Sequence, residues 1–306
     1  MPLDRRTFIS NLALGSGGML VGGTSKKTEN RPGFAIPDDF NIIYLATRWG
    51  YPGTLEEFCQ AVQQAGYDGI EVWLPGSRKE QRELVQVTSN YDLKIGLLVG
   101  SGSNDFEEHF TEFKQNIDRA VEMEPLLINC HSGRDFFSFE QNRKIVDYTV
   151  QLQESSGIGI SHETHRSRML FAAHITQQFI EQIPGLRLTL DISHWCNVHE
   201  SLLANQPEAV ELALERTDHV HSRVGHPEGP QVSDPRAPEW EQALEAHFGW
   251  WDAVVKQKVE EGRGLTMTPE FGPPTYMPAV PYTGQPLGNQ WEINTHMLNL
   301  WKERYS

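Results

Sequence analysis

A single (β/α)8 barrel is the fold class the sequence predicts, on three observations. The chain has 306 residues, near the roughly 250 that one α/β barrel takes and too long for one small module. From residue 41 onward, short β-branched or apolar runs alternate with longer segments of helical period, and the alternation repeats eight times. Parallel strands need helical crossovers, and eight of them close a sheet on itself. A doubly wound sheet is the alternative, but its fingerprint is missing: Gly100-Ser101-Gly102 has no third glycine, and no acidic residue follows on a next strand at the right distance.

The units run in order. Strand 1 is read over 41–46, the run Asn-Ile-Ile-Tyr-Leu-Ala, with a helix over 55–65 behind it. Strand 2 (69–73, Gly-Ile-Glu-Val-Trp) leads to a helix over 79–90, and strand 3 (94–99) to one over 106–122. Strand 4 (126–130) and strand 5 (159–164) feed helices over 139–154 and 169–183. Strand 6 (187–192), strand 7 (219–224) and strand 8 (265–271) are followed by helical segments over 200–214, 240–261 and 291–301. Two connections exceed the usual few residues: 225–238 after strand 7, and 272–289 after strand 8, which carries five prolines. In a barrel both lie on the C-terminal face, and they are expected to wall or cover the site built there.

Composition narrows the function. With 22% charged and 38% hydrophobic residues the chain is ordinary globular protein. A net charge of −15, spread along its length, would repel a phosphate backbone or an anionic membrane, so neither nucleic acid nor a membrane surface is an expected partner. Cys59, Cys130 and Cys196 show neither a disulfide framework nor zinc-finger spacing.

Residues 1–27 read as an export signal. Asp4-Arg5-Arg6-Thr7-Phe8-Ile9 opens a stretch uncharged from 7 to 25, glycine-rich and weakly apolar, which ends at Lys26-Lys27. It resembles a bacterial twin-arginine signal, which implies export of folded protein to the periplasm, with 28–40 as a linker and 41–306 as the barrel. The stretch is a poor membrane-spanning helix, and the mature form is expected to have no span.

The chemistry is read from strand alternation. Positions packing against helices must be apolar, so in strand 6 Leu188, Leu190 and Ile192 face out, which turns Thr189 and Asp191 inward. By the same parity Ser161 and Glu163, His219 and His221, and Thr266, Thr268 and Glu270 face the barrel axis. Barrel interiors are normally filled with bulky aliphatics, and a buried charge costs several kcal/mol unless it is paired or bound to a metal. Glu163, Asp191, His221 and Glu270 therefore form a candidate ligand set of three carboxylates and one imidazole, suited to one divalent cation such as Mn2+, Mg2+ or Co2+, with Zn2+ admissible. The competing reading is a buried carboxylate–histidine network without metal.

In this order and at these strand positions, Gly69-Ile70-Glu71-Val72, His162-Glu163-Thr164, Asp191-Ile192-Ser193-His194, His219-Val220-His221 and Pro269-Glu270-Phe271-Gly272 resemble the xylose isomerase-like barrel superfamily of sugar isomerases, sugar 3-epimerases, hydroxypyruvate isomerase and endonuclease IV. The resemblance implies that Glu163, Asp191, His221 and Glu270 ligate one divalent metal, that His194 binds substrate and that Glu71 supports the site. A cation chelating a carbonyl and the adjacent hydroxyl of a sugar makes the intervening C–H more acidic. Glu163 and Glu270, on opposite sides of that sugar, are the candidate catalytic pair that removes a proton and returns one through an enediolate. The expectation is a sugar isomerase or epimerase acting on a small carbohydrate.

One departure concerns substrate contacts. Six residues past His221, where the epimerase branch has a substrate-binding Arg, the chain has Pro227, and Arg223 or His226 is the candidate replacement. His131, closing strand 4, is a further candidate substrate contact, and Arg166 and Arg168 after strand 5 are either solvated loop charges or contacts to an anionic or highly hydroxylated substrate. Three alternatives stand beside the isomerase. A metal-dependent lyase or dehydratase on a keto-cyclitol or keto-glycoside would share the enolisation. An endonuclease IV-like phosphodiesterase would need further histidines; His131 and Asp234 are in place, but Arg236 stands where a histidine is required and strand 3 ends without one. A non-catalytic carbohydrate-binding barrel is the third. A homo-oligomer is left open.

Overall fold

The computed structural model describes residues 32–306, and the export-signal segment lies outside them. Eight parallel strands form one closed barrel in sequence order: β1 (Ile42–Thr47), β2 (Gly69–Trp73), β3 (Lys94–Gly100), β4 (Leu127–His131), β5 (Gly159–Glu163), β6 (Leu188–Leu190), β7 (Thr217–His221) and β8 (Leu265–Thr268). The helices α1 (Leu55–Ala65), α2 (Arg78–Asn90), α3 (Phe106–Val121), α4 (Phe139–Ser156), α5 (Ala173–Gln182), α6 (Ser193–Val198), α7 (Pro207–Glu215), α8 (Glu241–Glu260) and α9 (Gln290–Tyr305) accompany them.

Local sequence sets the helix ends. Thr54, Ser77 and Ser138 cap α1, α2 and α4, each accepting from the backbone N–H three residues on while that residue's side chain accepts from the cap's own N–H. Gly66 and Gly157 end α1 and α4 in the left-handed conformation, at φ 81° and 74°. The outer faces of the strands and the inner faces of the helices bury a continuous apolar layer that includes Leu97, Ile128, Leu190, Val220 and Met267. No helix among the described residues is long and apolar enough to cross a membrane.

Where the elements differ from the sequence reading, the mouth of the barrel is responsible. The helix expected over 169–183 begins only at Ala173, because 164–172 runs across the C-terminal face. The helix expected over 200–214 begins only at Pro207, as α7, and a short helix that was not expected, α6, starts at Ser193, two residues past Asp191, so His194 sits on a helix. Strands β6, β7 and β8 stop at Leu190, His221 and Thr268, which leaves Asp191, Arg223 and Glu270 just past the last ladder bonds.

The opposite end carries a structural ion-pair cluster. Arg187 grips Asp218 with two bonds of 2.6 and 2.7 Å, and Lys258 and Arg263 approach the same carboxylate to 2.8 and 3.0 Å. Burial works to raise the Asp218 carboxyl, but these cations outweigh it and hold it down to about 2. Because the folded value lies below the ordinary 3.8, the stabilisation is complete above pH 4 and is lost as pH falls toward 2. Asp218→Asn is expected to cost about 2 kcal/mol in urea denaturation at pH 7 and to flatten the pH dependence of stability between about 4 and 2; an unchanged acid limb would show that the cluster does not stabilise the fold.

Candidate metal centre

The inward alternation converges at the C-terminal mouth. Glu163 ends β5, Asp191 follows β6, His221 ends β7 and Glu270 follows β8, and one ligand atom from each lies within 4.8 Å of all the others. All four are buried, with Glu270 the most accessible at 7%. His221 Nδ1 is 3.1 Å from Glu270 Oε2 and 3.8 Å from Glu163 Oε1. Neither Glu163 Oε1 nor His221 Nδ1 has a hydrogen-bond partner. Buried polar atoms are nearly always paired, so two orphaned donor atoms facing one another inside a three-carboxylate cluster fit a divalent cation well.

A second layer holds the set in place. His221 Nε2 lies 3.0 Å from Glu71 Oε2, and His219 Nε2 lies 3.3 Å from the same oxygen. The Nδ2 amide of Asn129 on β4 reaches Glu71 at 3.2 Å, Glu163 at 3.0 Å and His221 at 3.3 Å, and so ties three strands together. His131 Nε2 contacts Glu163 Oε2 from the other side. Burial works to raise the Glu163 carboxyl, but the imidazoles of His131 and His221 outweigh it and keep it ionised. Burial likewise opposes a charge on His221, yet Glu270, Glu71 and Glu163 together raise it well above the ordinary histidine range. A metal would take the place of that proton.

Arg223 enters from the loop after β7 and is fully buried. Its guanidinium contacts Asp191 Oδ2 and donates to Ser193 Oγ at 3.2 Å, to the Glu270 carbonyl at 3.3 Å and to His194 Nε2 at 2.8 Å. Burial pushes the Asp191 carboxyl up to about 6, with Arg223 pulling it down and Glu270 and Glu163 adding to the rise. Burial, together with His165 and Arg223, keeps His194 neutral.

The loop 272–289 covers this arrangement. Tyr276 stands edge-on to Trp49 with centroids 4.9 Å apart, and the guanidinium carbons of Arg223 and Arg166 each lie 4.8 Å from its ring centre. Gln231 bonds both the N–H and the carbonyl of Gly272, at 2.7 and 3.3 Å, and thereby joins the two long loops. A Cβ on Gly272 would stand 2.2 Å from the Trp49 ring, so only glycine permits this approach.

Of the residues singled out by sequence, Glu71, His131, Glu163, Asp191, His194, His221, Arg223 and Glu270 come together. His226 does not: it packs on Trp240 with ring centroids 4.7 Å apart and pairs with Gly229 in a small bridge. Asp234 is held by Arg236 at 2.6 Å. Asn129 and Tyr276 belong to the site without having been expected there; Asn129 shares its inward parity with His131, whereas Tyr276 lies in a loop with no period to read. A cavity of about 800 Å3 beside Trp49, Tyr51, Gln60 and Trp291 gathers no cluster of ionisable groups.

Fold and site together define a (β/α)8 barrel with a buried carboxylate–histidine set at its C-terminal mouth that could hold a metal ion. The chain belongs to the xylose isomerase-like TIM barrel family, whose model matches residues 59–238. Among solved structures it is similar to a D-allulose 3-epimerase from Methylomonas sp., at 16% identity and TM-score 0.59 over 89% of this chain and 100% of that one. It is also similar to a 3-keto-D-glucoside 4-epimerase from E. coli, at 14% identity and TM-score 0.58 over 86% and 100%. A third is a xylose isomerase-like barrel protein from Mycobacterium smegmatis in complex with magnesium, at 13% identity and TM-score 0.53 over 86% and 97%. No curated protein matches the chain in sequence.

Proposed function

We propose that this protein is a metal-dependent sugar isomerase or epimerase that abstracts a proton from a carbon next to a carbonyl. The observation that carries the reading is the buried quartet Glu163, Asp191, His221 and Glu270, whose ligand atoms lie within 4.8 Å of one another. A bound divalent cation supplies polarisation of a carbonyl and its neighbouring hydroxyl. Everything else comes from the chain. Glu163 and Glu270 enter from β5 and β8, across the mouth from each other in strand order, so each can reach a different face of a sugar lying between them. Glu163 is held ionised and oriented by Asn129 and His131, as a proton acceptor requires. The Tyr276 loop lies over the mouth, where it keeps water from a newly formed carbanion. Which carbon is reprotonated, and from which face, separates isomerisation from epimerisation; loss of a neighbouring hydroxyl or glycosyl group from the same intermediate would make a lyase.

Mn2+-loaded protein incubated in D2O with a panel of keto-sugars, aldo-sugars and 3-keto-glycosides is expected to place deuterium on a carbon beside a carbonyl. Mass spectrometry of the recovered sugar reads it. Product mass unchanged apart from deuterium supports the isomerase or epimerase; loss of water or of a glycosyl group replaces it with the lyase. No exchange on any member of the panel, with the metal bound, overturns the reading.

A further inference from the structure

Seven arginines among the described residues pair with carboxylates, among them Arg187, Arg236 and Arg304. Arg134, Arg166 and Arg168 are not in that set, and all three stand on the loops after β4 and β5, at the mouth of the barrel. Arg134 spends its guanidinium on the backbone carbonyls of 101–103, with 2.8 Å to Gly102. Arg166 lies over the Tyr276 ring and reaches only Asn197 Oδ1, at 3.4 Å. Arg168 is the anomaly: its Nε and Nη1 are buried and have no partner at all.

Guanidinium N–H groups held away from water without an acceptor are costly, so this pair calls for one. The nearby groups do not supply one. Asp135 is exposed and makes no ion pair, and Glu163 turns Oε2 to Asn129 and His131 and Oε1 toward His221. Burial and the neighbouring Arg134 both lower the Arg168 pKa, which marks a locally positive spot in a chain of net charge −15. Deeper in, the charges of Glu163, Asp191 and Glu270 would be offset by Arg223 together with a divalent cation, while Glu71 faces His219 and His221. Arg134, Arg166 and Arg168 then leave the rim positive.

We propose that Arg168 and Arg166 form an oxyanion seat at the rim of the site, and that the sugar processed here carries a carboxylate or a phosphate remote from its reacting carbons. The proposal rests on the reading of the quartet as a sugar site and adds the substrate class. Arg168 offers the unpartnered N–H groups of Nε and Nη1, and Arg166, two residues before it on the same loop and braced on Tyr276, adds a second guanidinium.

Calorimetric titration of the Mn2+-loaded protein at low ionic strength with D-fructose, D-fructuronate and D-fructose 6-phosphate tests it. At least one of the two anionic sugars is expected to bind about tenfold or more tightly than D-fructose, and the tighter of the two names the anion. Arg168→Gln should bring that ligand back to the D-fructose affinity, and Arg166→Gln should weaken it severalfold; the second variant decides the matter if the first does not fold. Raised salt should erase the preference as well. Equal affinity for all three sugars, or a preference that survives both substitutions and must come from the metal, overturns the seat. The two readings fail separately. An arginine-dependent anion preference without C–H exchange keeps the seat and sinks enolisation, while exchange on neutral sugars with no anion preference does the reverse.

Discussion

Glu270→Gln is expected to lower carbon-bound deuterium exchange by about a thousandfold or more in a barrel that stays folded. The substitution changes little besides the base. Glutamine has the same shape, its amide oxygen can still stand beside His221 Nδ1, which lies 3.1 Å from Glu270 Oε2, and the backbone carbonyl of residue 270 still receives Arg223. What disappears is a carboxylate able to take a proton, at the most accessible position of the quartet. One negative charge is also lost from the metal's surroundings, so metal content must be measured alongside, at saturating Mn2+. Exchange near the wild-type rate in a folded, metal-loaded variant would remove Glu270 from the chemistry. Glu163→Gln is a harsher change, since Asn129 and His131 both hold that carboxylate.

That the quartet was legible beforehand follows from strand physics. Leu188 and Leu190 must face the helices, so Thr189 and Asp191 had to face the axis, and the same parity on β5 and β7 set Glu163 and His221 inward. Parity also put Arg223 on the inner side, although the chain has left β7 by then and the residue is held by Asp191, Ser193 and His194 rather than by a ladder. His226, chosen only for its place near Pro227, does not join the site: five residues past His221 the backbone has turned into the bridge with Gly229, and the ring packs on Trp240. Asn129 was within reach, since a polar side chain between Ile128 and Cys130 on a buried strand demands partners. Tyr276 was not. Its place over Arg166 and Arg223 depends on Gln231 pinning Gly272 and on the bare Cα of Gly272 against Trp49, contacts across more than 200 residues of chain in the latter case that no local pattern announces.

Arg223→Met is expected to destabilise the metal-free protein by about 3–5 kcal/mol, roughly 5–10 °C in Tm, and to restore most of that loss when a divalent cation is added. Asp191 is fully buried, and its carboxyl is already pushed up to about 6 with the guanidinium beside it. Removing Arg223 leaves that carboxylate with Ser193 as its remaining close donor and strips Glu270 of a cation 3.6 Å away. Asp191 is then an uncompensated acid in a dry pocket, Glu270 keeps only His221, and breaking a buried pair costs far more than the pair itself contributes. A divalent cation among Glu163, Asp191, His221 and Glu270 supplies the missing positive charge. The variant should therefore show a larger rise in Tm on metal addition than the wild type, and bind the metal more tightly, because no fixed cation competes for Asp191 and Glu270. Calorimetric titration with Mn2+ and thermal melts with and without it read both effects. If the variant melts like the wild type without metal, Arg223 is not the resident counter-ion of the cluster; if metal fails to rescue it, the quartet does not hold the cation.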